Sequence, residues 1–180
     1  MWWLLGFSVL LGAGIAAVNT YSALYATEEL RLADQPAAAL VAALGVTGIL
    51  GRIGWSRVVS PDRPAGVVLG PLAAGAVLAA GVLLAAQFLG AALAWIGVLG
   101  IGAFAVAANA VSMLAVTALS TPEQTGRNSA LVSAGFFGGF ALGPPAFGLL
   151  AELGGYPLAW SLVAVEFTAA ALVVWLWRRN

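Results

Sequence analysis

The sequence contains no cysteine, no histidine and no lysine, so all seven of its basic residues are arginine. Without Cys and His, the chain lacks the usual ligands of soft and borderline metals, the thiol nucleophile and the side chain best suited to proton transfer near neutral pH. Without Lys, it cannot form a Schiff base. These absences make an intramembrane enzyme the least favoured interpretation, and we expect neither a metal site nor a cofactor.

Charge of either sign is also scarce. Only 8% of the residues are charged, against about 25% in ordinary soluble domains, and 62% are hydrophobic. The formal net charge is zero, so no basic surface is available for nucleic acid. Because each helical crossing of a bilayer needs roughly 20 apolar residues, the chain has room for about six crossings and short loops. We expect an integral membrane protein in contact with lipid.

The few charges divide the sequence into apolar blocks, because a charge at the bilayer centre costs at least about 2.5 kcal/mol. The stretch between residues 65 and 122 holds no charge; it is too long for one crossing and suits two, with a turn near residues 87–90. The pattern predicts an all-α membrane protein, a single domain over residues 1–180 with six transmembrane helices. Their approximate bounds are 2–26, 37–57, 66–86, 91–119, 126–151 and 157–177.

The arginine distribution predicts the orientation, since short cytoplasmic loops retain positive charge. With six crossings and both termini in the cytoplasm, only Arg31 lies outside. The cytoplasmic arginines are then Arg52, Arg57, Arg63, Arg127, Arg178 and Arg179. We therefore expect a multi-pass protein of the cell (inner) membrane.

Two motifs carry a resemblance to a known family. The first is residues 48–55, GILGRIGW, followed by Asp62-Arg63; the second is residues 135–148, GFFGGFALGPPAFG, followed by residues 154–160, GGYPLAW. Both resemble the C-terminal half of major facilitator superfamily transporters. There, a Gly-Arg-x-x-Trp run closes one helix, an Asp-Arg pair lies in the next cytoplasmic loop, and a Gly- and Pro-rich eleventh helix precedes a short external turn. The likeness covers essentially the whole chain in order.

This resemblance implies a six-helix half built as 3+3 inverted repeats, an arrangement described for this superfamily. It also implies half of a secondary active transporter that moves a small solute by alternating access. Such a half supplies only one wall of the cavity, so we expect it to pair with a second six-helix half, either an N-terminal half or a second copy. The alternative is a non-transporting scaffold or assembly subunit that retains the fold.

The first motif also has a direct physical interpretation. Arginines at this loop can hydrogen-bond helix C-terminal carbonyls and nearby carboxylates, so the loop would clip two helices together in one conformation and release them in another. Alternatively, these arginines only fix topology and contact lipid phosphates. The predicted conformational switch consists of Gly48, Gly51, Arg52, Asp62, Arg63 and Arg127.

Glycines recur every four residues on the predicted fifth helix, at Gly135, Gly139 and Gly143. Such a ridge lets another helix backbone approach closely. Pro144 and Pro145 follow and interrupt helical hydrogen bonding, which allows a bend. The segment therefore predicts tight helix packing or a hinge.

Polar side chains within the apolar blocks are expected to face protein or a wet cavity. Asn19 and Ser22 share one face of the first helix, and Asn109 and Ser112 share one face of the fourth. The two amides lie at comparable depths in helices of opposite direction, as inverted repeats require. Asn both donates and accepts, so the pair suits a polar or zwitterionic solute, whereas a bond between helices is the alternative. The predicted solute site consists of Asn19, Ser22, Asn109, Ser112, Ser133, Phe136 and Phe140.

One carboxylate, Glu166, lies near the middle of the predicted sixth helix. Alone in hydrocarbon it would be protonated, so proton coupling is one hypothesis for it. A neutral, hydrogen-bonded Glu166 is the other. In the resembling family the last helix is peripheral to the substrate path.

Overall fold

The computed structural model describes residues 1–177, and its regular structure there is helical. Two of the predicted cytoplasmic residues, Arg178 and Arg179, lie outside the described residues. The helices are α1 (Trp2–Glu28), α2 (Asp34–Val58), α3 (Ala65–Leu89), α4 (Ala91–Ile101), a π-helical segment (Gly102–Val106), α5 (Ala107–Ala118) and α6 (Pro122–Trp177). The π-helical segment joins α4 and α5 into one continuous rod.

Within the described residues, five helical units are long and apolar enough to cross a membrane: α1, α2, α3, the α4–α5 rod and α6. An all-helical, multi-pass membrane architecture is therefore confirmed at this level. The outer surface agrees with it, because large apolar side chains are exposed there. Leu78 is 72% exposed, Phe88 is 76% exposed and Leu142 is 68% exposed. Hydrocarbon solvates such a surface, whereas water does not.

The sequence predicts two helices, residues 126–151 and 157–177, over the stretch that α6 occupies. Helix α6 has 56 residues and is interrupted at Gly154 and Gly155, which leave the helical region of φ/ψ space. Gly155 has φ +74° and ψ −179°, a conformation open essentially only to glycine. A straight helix of this length would measure roughly 84 Å, far more than a bilayer core. We call residues 122–153 the first arm and residues 156–177 the second arm.

The two arms run along α1 in opposite directions. In the first arm, Gly135 lies against Leu5 of α1 and Gly148 against Tyr21. The second arm contacts the C-terminal end of α1 first: Tyr156 bonds Glu28, and further along the arm Trp177 stacks on Trp3. The Gly154–Gly155 turn therefore reverses the chain. The first arm also begins earlier than predicted, at Pro122, a residue suited to a first helical turn.

The interior is centred on α1, whose residues 11–18 are all buried. Both arms of α6 and helix α2 pack around α1, while α3 packs against α4 and the second arm. Small residues make this packing close: Gly97 lies against Leu83, and Gly100 against Ala79. The bundle therefore depends on backbone proximity as much as on large side chains.

The π-helical segment was not predicted; the sequence indicated an uninterrupted helix over residues 91–119. It lies where the rod crosses α2. A Cβ placed on Gly102 would lie 2.7 Å from the Leu44 carbonyl oxygen and one on Gly51 would lie 2.7 Å from that of Ala103. This wide turn depends on contacts with a helix about fifty residues earlier, so no local pattern of apolar residues reveals it.

Candidate functional site

Two exposed polar residues directly follow the buried stretch of α1. Asn19 and Thr20 are exposed, although residues 11–18 before them are buried. Ser22 is buried, and its hydroxyl donates a hydrogen bond to the Val18 carbonyl of the same helix. Ser22 is thus satisfied locally, whereas the Asn19 amide faces outward from the bundle.

On α5, Asn109 is half-buried and Ser112 is buried. The Ser112 hydroxyl donates a 2.7 Å hydrogen bond to the carbonyl oxygen of Asn109. Among residues 1–177, no described hydrogen bond involves the side-chain amide of either Asn19 or Asn109. The interhelical bond between amides that would make them purely structural is therefore not formed in this conformation.

The remaining predicted solute residues lie on the first arm. Ser133, Phe136 and Phe140 are half-buried, and the rings of Phe136 and Phe140 are 5.8 Å apart. The backbone of both phenylalanines lies against Gly12 of α1. Gly12 precedes Asn19 by seven residues, which is roughly 10 Å along the helix axis. The structure therefore brings the aromatic pair to α1, but at a different depth from the Asn19 amide.

The predicted switch residues divide into two groups. The glycines Gly48 and Gly51 lie against Val106 and Ala103 in the π-helical segment. The charged residues Arg52, Asp62, Arg63 and Arg127 are all exposed. The loop itself is closed by a backbone pair of 3.0 Å hydrogen bonds between Ser60 and Arg63, supported by the Ser60 hydroxyl.

The glycine ridge of the first arm contacts the α1 backbone. A Cβ on Gly139 would lie 1.9 Å from the Val9 carbonyl oxygen, and one on Gly143 would lie 2.2 Å from that of Ala13. Gly135 lies against the Leu5 side chain. Pro144 and Pro145 retain helical backbone angles, and the described break in α6 comes about ten residues later, at Gly154 and Gly155.

Glu166 is half-buried in the second arm, and its Oε2 atom is buried without a hydrogen-bond partner among the described residues. The next residue, Phe167, is buried against Gly14 of α1. Glu166 therefore lies at the level of the middle of α1. Within residues 1–177, no group of three or more carboxylates, Cys or His gathers to hold a metal.

An aromatic cluster near the C-terminal end of α1 was missed by sequence reasoning. Phe147 stacks on Tyr21 at 4.6 Å and meets Trp160 edge-on at 4.6 Å, while Tyr25 contacts Tyr156 and Trp160. The Tyr156 hydroxyl donates a 2.8 Å hydrogen bond to Glu28 Oε2. The spacing of Tyr21 and Tyr25 places both on one helix face, but their partners lie more than a hundred residues away.

Comparison with known proteins gives one kind of match. No protein-family profile matches the chain, and no curated protein matches its sequence. Among solved structures, the fucose:proton symporter of Escherichia coli is similar, with a TM-score of 0.79 and 20% sequence identity over 97% of this chain. The chain spans 42% of that protein's length. The resemblance predicted from the sequence is thus confirmed for the fold: this chain has the fold of one half of a major facilitator superfamily transporter.

Proposed function

We propose that the chain is the C-terminal half of a secondary active transporter, which moves a small polar solute by alternating access together with a second six-helix half. The fold and the membrane-length helices support this proposal. The span of 42% of the similar symporter leaves another half to be supplied by a second chain, a second copy or a longer form of this one.

Asn19 is the observation that carries the proposal. It is exposed, although the eight residues before it in α1 are buried, and it lies about 6 Å along the helix axis from the midpoint of α1. An amide at that depth is costly against lipid chains and makes no described hydrogen bond of its own. A water-filled cavity between two halves satisfies it.

In this proposal the arms of α6 cross the membrane separately, which gives six crossings with both termini in the cytoplasm. Helices α1 to α3 then form one repeat, and the α4–α5 rod with the two arms forms its inverted partner. Asn19 and Asn109 occupy corresponding positions on the first helix of each repeat. The free amides suit hydroxyl groups or a zwitterion, because each amide both donates and accepts.

The test is solute binding by the chain assembled with its second half. Fucose, the sugar named for the similar symporter, is the first probe, and neutral amino acids are the second. Changing Asn19→Ala or Asn109→Ala should leave a ligand group unpaired and cost about 1–3 kcal/mol, or roughly 5- to 150-fold in affinity.

Thermal stability of the same variants in detergent provides the control. It should change little, because hydrogen bonds between membrane helices average only about 0.6 kcal/mol and neither amide forms one among the described residues. Lowered stability with unchanged affinity would show that the amides are structural, and the solute site would be withdrawn.

A further inference from the structure

We propose that the π-helical segment Gly102–Val106 is a rotary switch for the solute site. A π turn contains one more residue than the α-helix that covers the same length, so its conversion to α-helix turns the following helix by about 100° and advances it by about 1.5 Å. Each residue of α5 then takes the place of the residue after it. Ala108 replaces Asn109 at the proposed cavity, which changes from polar to apolar, and Val111 takes the buried place of Ser112.

The rotation keeps the buried face of α5 apolar. In the observed register, residues 107, 108, 111, 112, 115 and 116 of α5 are buried. After a shift by one residue, every one of these places is filled by an apolar side chain. The incoming residues are Val106, Ala107, Ala110, Val111, Leu114 and Ala115. The rotation therefore buries no new polar group, which is the usual obstacle to moving a helix within a bundle.

The polar pair also moves without loss of described interhelical bonds. The Ser112 hydroxyl bonds the carbonyl of Asn109 within the same helix, and the Asn109 amide makes no described hydrogen bond. Asn109 and Ser112 therefore turn as a unit. Connection 119–121 is the element that absorbs the small advance of α5.

The neighbouring helix offers a smooth surface to the switch. Gly48 and Gly51 of α2 face Val106 and Ala103, while the Thr47 side chain lies against Gly102 at the start of the segment. Neither glycine presents a side chain that locks one register, so α2 allows successive residues to pass. The Phe104 ring lies against Gly75 of α3 and 6.1 Å from the ring of Trp55 on α2, and it anchors the segment itself. In this proposal Gly48 and Gly51, which the sequence predicts to belong to a conformational switch, take part in helix rotation.

Disulfide trapping on the naturally cysteine-free chain tests the rotation in native membranes. A Cβ on Gly48 would lie 3.3 Å from Val106 Cβ, close to the Cβ separation of a disulfide. The pair Gly48→Cys with Val106→Cys should crosslink in the observed register. The pair Gly48→Cys with Ala105→Cys should crosslink only after rotation, when residue 105 takes the place of residue 106. We expect both pairs to crosslink under mild oxidation.

Deletion of Ala103 is the matched control, because it removes the extra residue and holds α5 in its observed orientation. The deletion should abolish the crosslink to position 105 and retain the one to position 106, which also reports that the variant is folded. A full-length chain that crosslinks only at position 106 would show a static π turn and overturn the proposal. So would a deletion variant that still crosslinks at position 105.

The role of the rotation in solute binding rests on the proposed function, but disulfide trapping detects the rotation without any solute. If both crosslinks form while Asn109→Ala leaves solute affinity unchanged, the rotation stands and the solute site fails. If affinity falls and position 105 never crosslinks, the site stands and the switch fails.

Discussion

Two buried tyrosine hydroxyl groups near the C-terminal end of α1 show, at the scale of single residues, what one hydrogen bond contributes to stability. Tyr25 and Tyr156 belong to the same aromatic cluster, and both are buried. The Tyr156 hydroxyl bonds Glu28, whereas the Tyr25 hydroxyl has no hydrogen-bond partner among residues 1–177. A Phe at either position keeps the ring, so the difference between the two variants isolates the bond that joins the second arm to α1.

Changing Tyr156→Phe should therefore lower the free energy of unfolding by about 1 kcal/mol, the usual net value of an intramolecular hydrogen bond. Changing Tyr25→Phe removes only an unpaired hydroxyl and should leave stability unchanged or raise it slightly. Denaturant titration in detergent micelles measures both. Equal losses for the two variants would contradict the assignment of the bond.

Polar residues inside the apolar blocks were identifiable from the sequence because they are so rare. Asn19, Asn109 and Glu166 stand out in a chain with 8% charged residues. Their surroundings were not identifiable. Whether an amide faces a neighbouring helix or the outside of the bundle depends on helix rotation, which the residues next to Asn19 do not encode.

At the scale of helices, the first arm and α1 are in contact through their backbones. The glycines Gly138 and Gly139 are neighbours in sequence, but a Cβ on Gly139 would lie 1.9 Å from the Val9 carbonyl oxygen, and one on Gly138 would meet no atom within 4 Å. One glycine is required by packing and the other is not.

We expect Gly139→Ala to force the two helices apart and to cost about 1–3 kcal/mol of stability. Gly138→Ala should be neutral or mildly stabilising, because alanine is the better helix former. The melting temperatures of the two variants in the same detergent measure this difference in stability. A neutral Gly139→Ala would mean that α1 and the first arm are further apart than described.

The helices followed from the sequence where composition alone determines them. Apolar blocks between charges are long enough to cross the bilayer, and five such units are present in the described residues. The π-helical segment did not follow, because it lies against a distant segment of the chain, where Gly102 packs on Leu44.

For the whole molecule, the arginine distribution gives a prediction that the fold does not test. Both termini and residues 57–64 should face the cytoplasm, while residues 27–35 face outward. Single-cysteine variants at positions 31 and 62 on this cysteine-free chain report the orientation. Labelling of position 62 from outside, with position 31 protected, would reverse the topology.

The central claim is that the surface around Asn19 borders water within the membrane. An Asn19→Cys variant of the assembled protein should react with a small, charged, membrane-impermeant thiol reagent, because thiolate forms only where water reaches. Leu78→Cys is the control, since Leu78 is 72% exposed on the apolar outer surface and should face lipid. The account predicts rapid labelling at position 19 and none at position 78. Equal protection of both positions would mean that no aqueous cavity borders α1, and would contradict a transport role for this chain.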